Sequence, residues 1–249
     1  MKRSILLLCV LLLGTTVFAA NDYYLLSPNG KLEVAISTSP QLSYSVKCNG
    51  EQILVPSQIG LKIYKGVQLG VNEKVKRVKR TSANTEIPAQ FYFRNTIKDH
   101  YNALRIEFSS RYAVEFRAYD EGVAYRFVTN FKNDFILESE IAEFVFAKDY
   151  KGYFPYANPT GTKKDKYFSS FESWYRNVEL SKFEADKVAF VPVMVRPITT
   201  RFVSWRQMWS IILVCSCRIQ RVQLHSVVSS HQCPIRLLRE DTINYRALL

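Results

Sequence analysis

The chain has 249 residues and a formal net charge of +12, from 34 Lys and Arg against 22 Asp and Glu, and 47% of its residues are hydrophobic. This apolar content excludes an intrinsically disordered chain, and the length suits one large domain or two small ones. A complete (β/α)8 barrel needs about 250 residues by itself, so a barrel enzyme barely fits.

The first 20 residues have the pattern of a secretory signal peptide. Lys2 and Arg3 precede an apolar run over 5–13, and small residues follow up to Ala20. The run is too short to span a bilayer, and the small residues fit a cleavage site. We therefore expect 1–20 to be removed and the protein to be periplasmic or secreted, with no membrane attachment afterwards.

The segment 21–195 begins with a predicted meander of three strands. Polar and apolar residues alternate over 31–37 and over 42–48. Asn49-Gly50 follows at once, and this dipeptide is the strongest short signal for a hairpin, here leading into 53–55.

Alternation resumes in the middle of the chain. It covers 104–108, 112–119 and 123–128, and the last two segments are joined by a tight turn over 120–122. Such alternation is typical of antiparallel sheets that bury one face. The sequence therefore predicts an all-β fold, a large antiparallel β-sandwich of two packed sheets.

Composition changes abruptly after residue 195. The tail 196–249 has eight Arg and no Lys, two acidic residues and no Gly, whereas 21–195 has 24 basic and 20 acidic residues. Regrouping the codons of 208–217 in another frame permits Asp-Val-Glu-Tyr-Tyr-Pro-Gly-Met-Phe-Leu, and the same regrouping after residue 195 permits Glu-Thr-Asp, which continues a strand into an ordinary polar turn. We therefore predict that the reading frame slips at or next to codon 195 and that 196–249 is a non-native tail.

A run of five basic residues could be taken for a nucleic-acid contact. A secreted protein rarely meets nucleic acid, and charged residues on an edge strand commonly keep sheets from pairing with each other. We therefore interpret the run as a solvated strand and expect no nucleic-acid partner. It comprises Lys74, Lys76, Arg77, Lys79 and Arg80.

Two further groups have simple interpretations. Asp120 and Glu121 could be imagined as an acid and base pair, but neighbours in a tight turn diverge, so we interpret them as turn residues. A Cys and His group in the tail begins with Cys-x-Cys, which is not the spacing of a structural zinc site. Cys48 is the sole cysteine of 21–195, so that segment has no internal disulfide. The tail group comprises Cys215, Cys217, His225, His231 and Cys233.

Five segments carry a resemblance to a known family, namely 27–32, 60–61, 100–104, 116–127 and 171–175. The most specific are the strand, turn and strand of 116–127 and the Phe-Glu-Ser-Trp-Tyr of 171–175. In this order and spacing the five resemble the N-terminal domain of glycoside hydrolase family 97, and the resemblance covers most of 21–195.

The resemblance implies a galactose-mutarotase-like supersandwich that precedes a catalytic (β/α)8 barrel in the family, and the barrel is absent from this chain. Family members hydrolyse α-glucosides with inversion or α-galactosides with retention, and the barrel supplies both catalytic carboxylates. We therefore expect this chain to contain no catalytic residue and to be inactive in isolation. Its implied partners are an α-linked oligosaccharide, bound by the full-length enzyme, and the missing barrel.

The resemblance also implies an active-site calcium ion. In the family the ion is held mainly by glutamates of the barrel, with one glutamate from the sandwich in a Glu-x-x-Tyr setting. That pattern maps onto Glu172 and Tyr175. Calcium takes six to eight oxygen ligands, so Glu172 alone would form a weak site or none, and a plain surface glutamate is the alternative.

A second function class stays open, a stand-alone carbohydrate-binding or interaction sandwich. Its aromatic residues Trp174, Tyr153 and Tyr156 could stack on sugar rings. Aromatic residues of a sandwich are more often part of the core than of a sugar platform.

We predict that resequencing the gene across codon 195 will reveal a slipped frame, and that the restored frame will continue into a barrel sequence. The compositional break between 195 and 196 is the reason for this expectation. A single clean frame through codon 249 would refute the slip.

Overall fold

The computed structural model describes residues 22–89, 95–156, 174–184, 188–190, 192–196, 201–207, 210–216 and 235–237. These residues form β-strands and one short 3-10 turn, with no α-helix. The predicted all-β class is therefore confirmed, and the described residues contain no (β/α)8 barrel. They also include no helix long and apolar enough to cross a membrane. The predicted signal peptide, 1–20, lies outside the described residues.

The first sheet has seven strands, mostly from the N-terminal half of the chain. They are β1 (Asp22–Leu26), β2 (Leu32–Ser37), β3 (Ser43–Cys48), β4 (Glu51–Ile63), β5 (Val67–Leu69), β10 (Phe135–Ala142) and β16 (Ile235–Leu237). Their order is β1-β2-β3-β4-β10-β16, with β5 also paired to β4, and every pair is antiparallel.

The second sheet has nine strands. They are β6 (Val75–Pro88), β7 (Thr96–Phe108), β8 (Tyr112–Tyr119), β9 (Gly122–Thr129), β11 (Lys151–Phe154), β12 (Arg176–Glu179), β13 (Val193–Arg196), β14 (Arg201–Gln207) and β15 (Ser210–Ser216). The order is β12-β11-β13-β14-β15-β9-β8-β7-β6, and a 3-10 turn, η1 (Leu180–Lys182), follows β12. The two sheets stack face to face, with β1 and β2 over β7, β8 and β9.

Most predicted strands coincide with observed ones. The segments 31–37, 42–48, 112–119 and 123–128 match β2, β3, β8 and β9 to within one residue at each end. β4 and β7 are each 13 residues long, much longer than the predicted 53–55 and 104–108. In β4 the alternation is hidden by irregular register against β3 and a change of partner to β10.

The Asn49-Gly50 hairpin is confirmed. Asn49 has φ 49° and Gly50 has φ 79°, so both turn residues have the positive φ that a two-residue type I′ turn requires. Cys48 and Glu51 are paired on either side of the turn. The turn therefore sets the register at the start of the β3–β4 pair.

Three aromatic rings join the sheets at the centre of the core. Tyr44 of the first sheet lies 5.9 Å from Phe116 and 5.6 Å from Tyr125 between ring centroids, and Phe116 and Tyr125 are 5.5 Å apart. Tyr44 is 1% exposed, and its hydroxyl donates to the carbonyl oxygen of Glu143 at 3.3 Å. Burial raises the pKa of Tyr44 well above its usual range, so the phenol stays neutral.

Two side chains of the second sheet cap the open edge of β1. The Arg80 Nη1 donates to the carbonyl oxygen of Tyr24 at 2.7 Å, and the Asn102 Nδ2 donates to that of Leu26 at 2.9 Å. An exposed row of edge carbonyls is a template for pairing with another chain. The two contacts occupy that row and tie the edges of the two sheets together.

The basic run lies on and just before β6, the strand at one edge of the second sheet. All five of its Lys and Arg residues are exposed. This exposure agrees with the interpretation of the run as a solvated strand, and the absence of a nucleic-acid partner stays a prediction. Polar and apolar residues do not alternate strictly along β6. The reason is that this edge strand, Val75–Pro88, has no buried residue.

We expect replacement of both edge caps, Arg80→Ala with Asn102→Ala, to lower the free energy of unfolding by about 1 to 3 kcal/mol, since each lost hydrogen bond is worth about 0.5 to 1.5 kcal/mol. Freed carbonyls on β1 should also promote self-association, measured by sedimentation velocity beside urea unfolding. Lys79→Ala removes an exposed neighbour on the same strand and serves as the control. Equal stability and association state in the double variant and the control would refute the capping role.

Candidate functional site

Glu172, the predicted calcium ligand, lies outside the described residues, which resume at Trp174. Trp174 is 93% exposed and Tyr175 is 47% exposed. Such exposure is unusual for tryptophan, which is highly buried on average. β12 begins directly after these two residues, at the edge of the second sheet. The chain that follows Glu172 thus joins the sandwich at an edge strand, with two aromatic side chains in solvent.

The strands β11, β12 and β13 have their inner face in the core. Phe154, Val193 and Val195 are buried there, each 3% exposed or less. Gly152 faces the same way, and a Cβ at this position would lie 2.6 Å from the Phe154 ring. Only glycine therefore lets the Phe154 ring lie back along its own strand.

Six side chains of these strands share the outer face as two rows of three, because residues that alternate with core residues point away from the core. Each row crosses β12, β11 and β13 in register, with about 4.8 Å between neighbouring strands. We call these six residues the β11–β13 patch. The first row is Asn177, Tyr153 and Met194, and the second is Glu179, Lys151 and Arg196.

The β11–β13 patch combines a half-buried centre with exposed polar groups around it. Tyr153 and Met194 are half-buried, while Lys151, Asn177 and Arg196 are exposed. At its border, the Glu179 carboxylate pairs with the Lys182 ammonium of η1 at 2.5 Å. The patch therefore presents one aromatic ring within a border of hydrogen-bonding side chains.

Tyr156 does not belong to this outer surface, and its proposed role as a sugar platform is wrong. It is 7% exposed, and its ring centroid lies 5.0 Å from that of Phe183 and 6.3 Å from that of Phe154. Burial raises the pKa of its phenol. β11 ends at Phe154, so the alternation that would have assigned a face to Tyr156 stops before it.

A second polar cluster covers the outer face of β7, β8 and β9. Glu115 lies at its centre, 11% exposed, with its carboxylate 3.2 Å from Arg117 Nε, 3.1 Å from Arg126 Nη2 and 3.8 Å from Arg105 Nη1. Arg105 Nε also pairs with Glu107 at 3.2 Å. Three guanidinium groups therefore share one central carboxylate.

Two tyrosines extend this cluster. The Arg117 guanidinium carbon lies 4.2 Å from the ring centroid of Tyr101, within the range of a cation–π contact. The Tyr101 and Tyr119 rings are 5.2 Å apart, and burial raises the pKa of both phenols. Desolvation lowers the pKa of Arg126, although it stays charged beside Glu115. Each guanidinium group of the cluster has a carboxylate within 3.8 Å, which favours a structural role over a catalytic one.

The acids at the β8–β9 turn serve the fold. The Asp120 carboxylate accepts from the backbone N–H of Asn29 at 2.8 Å, and its other oxygen lies 3.5 Å from His100 Nδ1. Asp120 thus ties this turn to the turn between β1 and β2, and Glu121 is exposed. The interpretation of the pair as turn residues agrees with these contacts.

The predicted soft-ligand group lies mostly beyond the described residues. Of its five members only the backbone of Cys215 is described, in β15. Cys48 is 6% exposed and disulfide-bonded, and 21–195 contains no second cysteine. Among the residues that the structure describes, no group of three or more His, Cys, Asp or Glu is placed to hold a metal ion.

A family model for the N-terminal domain of glycosyl hydrolase 97 matches residues 25–205. The chain belongs to this family. The match ends beyond residue 195, so it decides neither the predicted boundary nor the frame slip, and both stay predictions.

One relative, a retaining alpha-galactosidase from Bacteroides thetaiotaomicron, is 36% identical over 196 residues. The match takes in 78% of this chain and 30% of the relative, so the chain spans less than a third of that enzyme.

Solved structures share the fold at low identity. A glycoside hydrolase family 97 enzyme from Pseudoalteromonas sp. strain K8 in complex with panose has a TM-score of 0.60 at 16% identity, covering 82% of this chain and 34% of that one. The same enzyme in complex with acarbose gives the same values. A beta-arabinopyranosidase has a TM-score of 0.62 at 15% identity, covering 82% and 39% of the two chains. These likenesses confirm the sandwich predicted from the sequence.

We expect Glu115→Gln to lower the free energy of unfolding by about 1 to 3 kcal/mol, because a half-buried set of guanidinium groups loses its shared negative charge. Glu107→Gln is the matched control, since Glu107 is 33% exposed and pairs with Arg105 alone. Its cost should stay below about 1 kcal/mol, as for other exposed pairs. Urea unfolding measures both, and equal losses would contradict the central role of Glu115.

Proposed function

We propose that this chain is the N-terminal β-sandwich portion of a secreted or periplasmic α-glycosidase. The observation that carries the proposal is the 36% identity to a retaining alpha-galactosidase over 196 residues, within a family defined by the N-terminal domain of such enzymes. The longer polypeptide hydrolyses an α-glucoside or an α-galactoside. The signal pattern of 1–20 supplies the export.

The catalytic groups of this enzyme lie in a barrel supplied by another part of the longer polypeptide. Glycoside hydrolysis needs two carboxylic groups facing each other across the scissile bond. Among the described carboxylates, Glu115 is locked between guanidinium groups and Asp120 holds a backbone N–H. Both therefore have structural partners, and we expect the isolated chain to be inactive because the barrel supplies the two catalytic carboxylates.

The sandwich contributes one calcium ligand, Glu172, to the joined enzyme. The described residues do not by themselves form a calcium site, and one carboxylate is far from the six to eight oxygens that the ion takes. The exposure of Trp174 and Tyr175 supports this role, because the chain beside Glu172 lies at the sheet edge and not within the core. A barrel at that edge would supply the remaining ligands.

A stand-alone carbohydrate-binding sandwich is the second candidate. It is favoured by one observation, the outward placement of Tyr153 beside β12, the strand that exposed Trp174 precedes by two residues. Hydrolysis of a nitrophenyl α-glycoside by this chain alone would overturn both candidates, because neither provides an acid and a base.

We expect isothermal titration of this chain with calcium to give no micromolar binding, since most ligands are missing. The longer polypeptide in the restored frame should bind calcium and hydrolyse the α-glycoside. In it, Glu172→Gln should weaken calcium binding by at least about tenfold. Losing even a residue that only hydrogen-bonds to a metal ligand typically has an effect of this size.

Glu121→Gln is the control for that substitution, because Glu121 is an exposed carboxylate in the β8–β9 turn, distant in sequence from Glu172. Micromolar calcium binding by this chain, or equal affinity in the two variants, would contradict the proposed role of Glu172.

A further inference from the structure

The β11–β13 patch has a composition that differs from the other exposed aromatic positions of the sandwich. Tyr153 is flanked in register by Asn177 on one side and Met194 on the other. The second row, one pleat along the strands, places charged groups beside this ring. An amide, an ammonium and a carboxylate thus lie around one phenol within two strand spacings.

A pyranose ring matches this chemistry. One face of the pyranose ring presents C–H groups, and its hydroxyl groups lie around the rim. The face of an aromatic ring carries partial negative charge, so it attracts these C–H groups. Hydroxyls both donate and accept, so they pair with the Asn177 amide, with Lys151 as donor and with Glu179 as acceptor. Binding sites commonly combine such an apolar surface with a few convergent polar groups.

We propose that the β11–β13 patch binds one pyranose unit of a neutral α-linked oligosaccharide. The proposal rests on the proposed function, which supplies an α-linked sugar as the substrate class. Tyr153 is the platform on which the sugar ring stacks. Asn177, which is paired with Tyr153 on the neighbouring strand, forms hydrogen bonds with the sugar hydroxyl groups.

Other tyrosines of the sandwich show why Tyr153 is suited to this role. Tyr101 already holds the Arg117 guanidinium 4.2 Å from its ring centroid, which covers one face of the ring. Tyr156 is packed in the core. Tyr64 is 58% exposed, but its surroundings on the first sheet include the exposed apolar residues Val67 and Ile136.

The position of the β11–β13 patch links it to the proposed calcium ligand. Asn177 follows Glu172 by five residues, and a fully extended chain of that length spans at most about 18 Å. An oligosaccharide that lies across both places can therefore put one unit on Tyr153. The patch would then hold a sugar unit away from the bond that is cleaved, which raises affinity without taking part in the reaction.

The expected affinity is low. A single pyranose on an open sheet face gains one stacking contact and a few hydrogen bonds in competition with water, so a Kd on the order of 1 mM is reasonable. Saturation-transfer NMR with the full chain suits this range, using panose as an α-glucoside and raffinose as an α-galactoside.

We expect the full chain to bind at least one of these sugars saturably. Asn177→Ala should weaken that binding by roughly fivefold, about the loss of one hydrogen bond. Tyr153→Ala should remove detectable binding. Tyr64→Ala is the matched control, because it removes an exposed tyrosine from the other sheet, and it should leave the affinity unchanged.

Folding is controlled separately, since Tyr153 is half-buried. Thermal unfolding is recorded for every variant, and Asn177→Ala, which alters an exposed side chain, keeps the test decisive if Tyr153→Ala does not fold. Binding of neither sugar, or binding that Asn177→Ala leaves unchanged, would overturn the proposal.

The outcome separates this proposal from the proposed function. Sugar binding that Asn177→Ala weakens, with calcium binding and hydrolysis intact in the longer polypeptide, supports both. Absence of sugar binding with calcium binding and hydrolysis intact overturns the patch alone. Sugar binding without either activity in the longer polypeptide supports the patch and overturns the glycosidase.

Discussion

Aromatic packing between the two sheets decides which residues of this protein reach its surface. Tyr44, Phe116 and Tyr125 meet at centroid distances of 5.5 to 5.9 Å and hold the sheets together. Because side chains of a strand alternate between its faces, burying Phe116 commits Glu115 and Arg117 to the outside. A shift of one residue would bury those charges, at a cost far greater than the stability of a domain.

The same constraint acts at the far end of the second sheet with a different result. Burial of Phe154 and Val195 turns Tyr153 and Met194 outward. On β7 to β9 the outward charged groups pair with one another. On β11 to β13 the outward groups surround a phenol, which gives that end the chemistry of a binding surface.

Much of the fold follows from local patterns. The regular alternation of β2, β3, β8 and β9 and the positive φ of Asn49 and Gly50 are properties of short segments, and both were predictable. β6 was less so, because an edge strand buries little and its exposed Lys and Arg residues obscure the period of two. Tyr156 follows the last residue of β11, and only its packing on Phe183 shows that it is buried.

The sequence by itself determined the class of the fold, through the alternation of its strands, and the family, through the five segments that resemble its N-terminal domain. Only the tertiary structure decided which polar residues are neighbours. Glu115, Arg105 and Arg126 come from three strands, and so do Asn177, Tyr153 and Met194. Strand order and register bring them together, and these depend on pairing between distant segments, which no local pattern encodes.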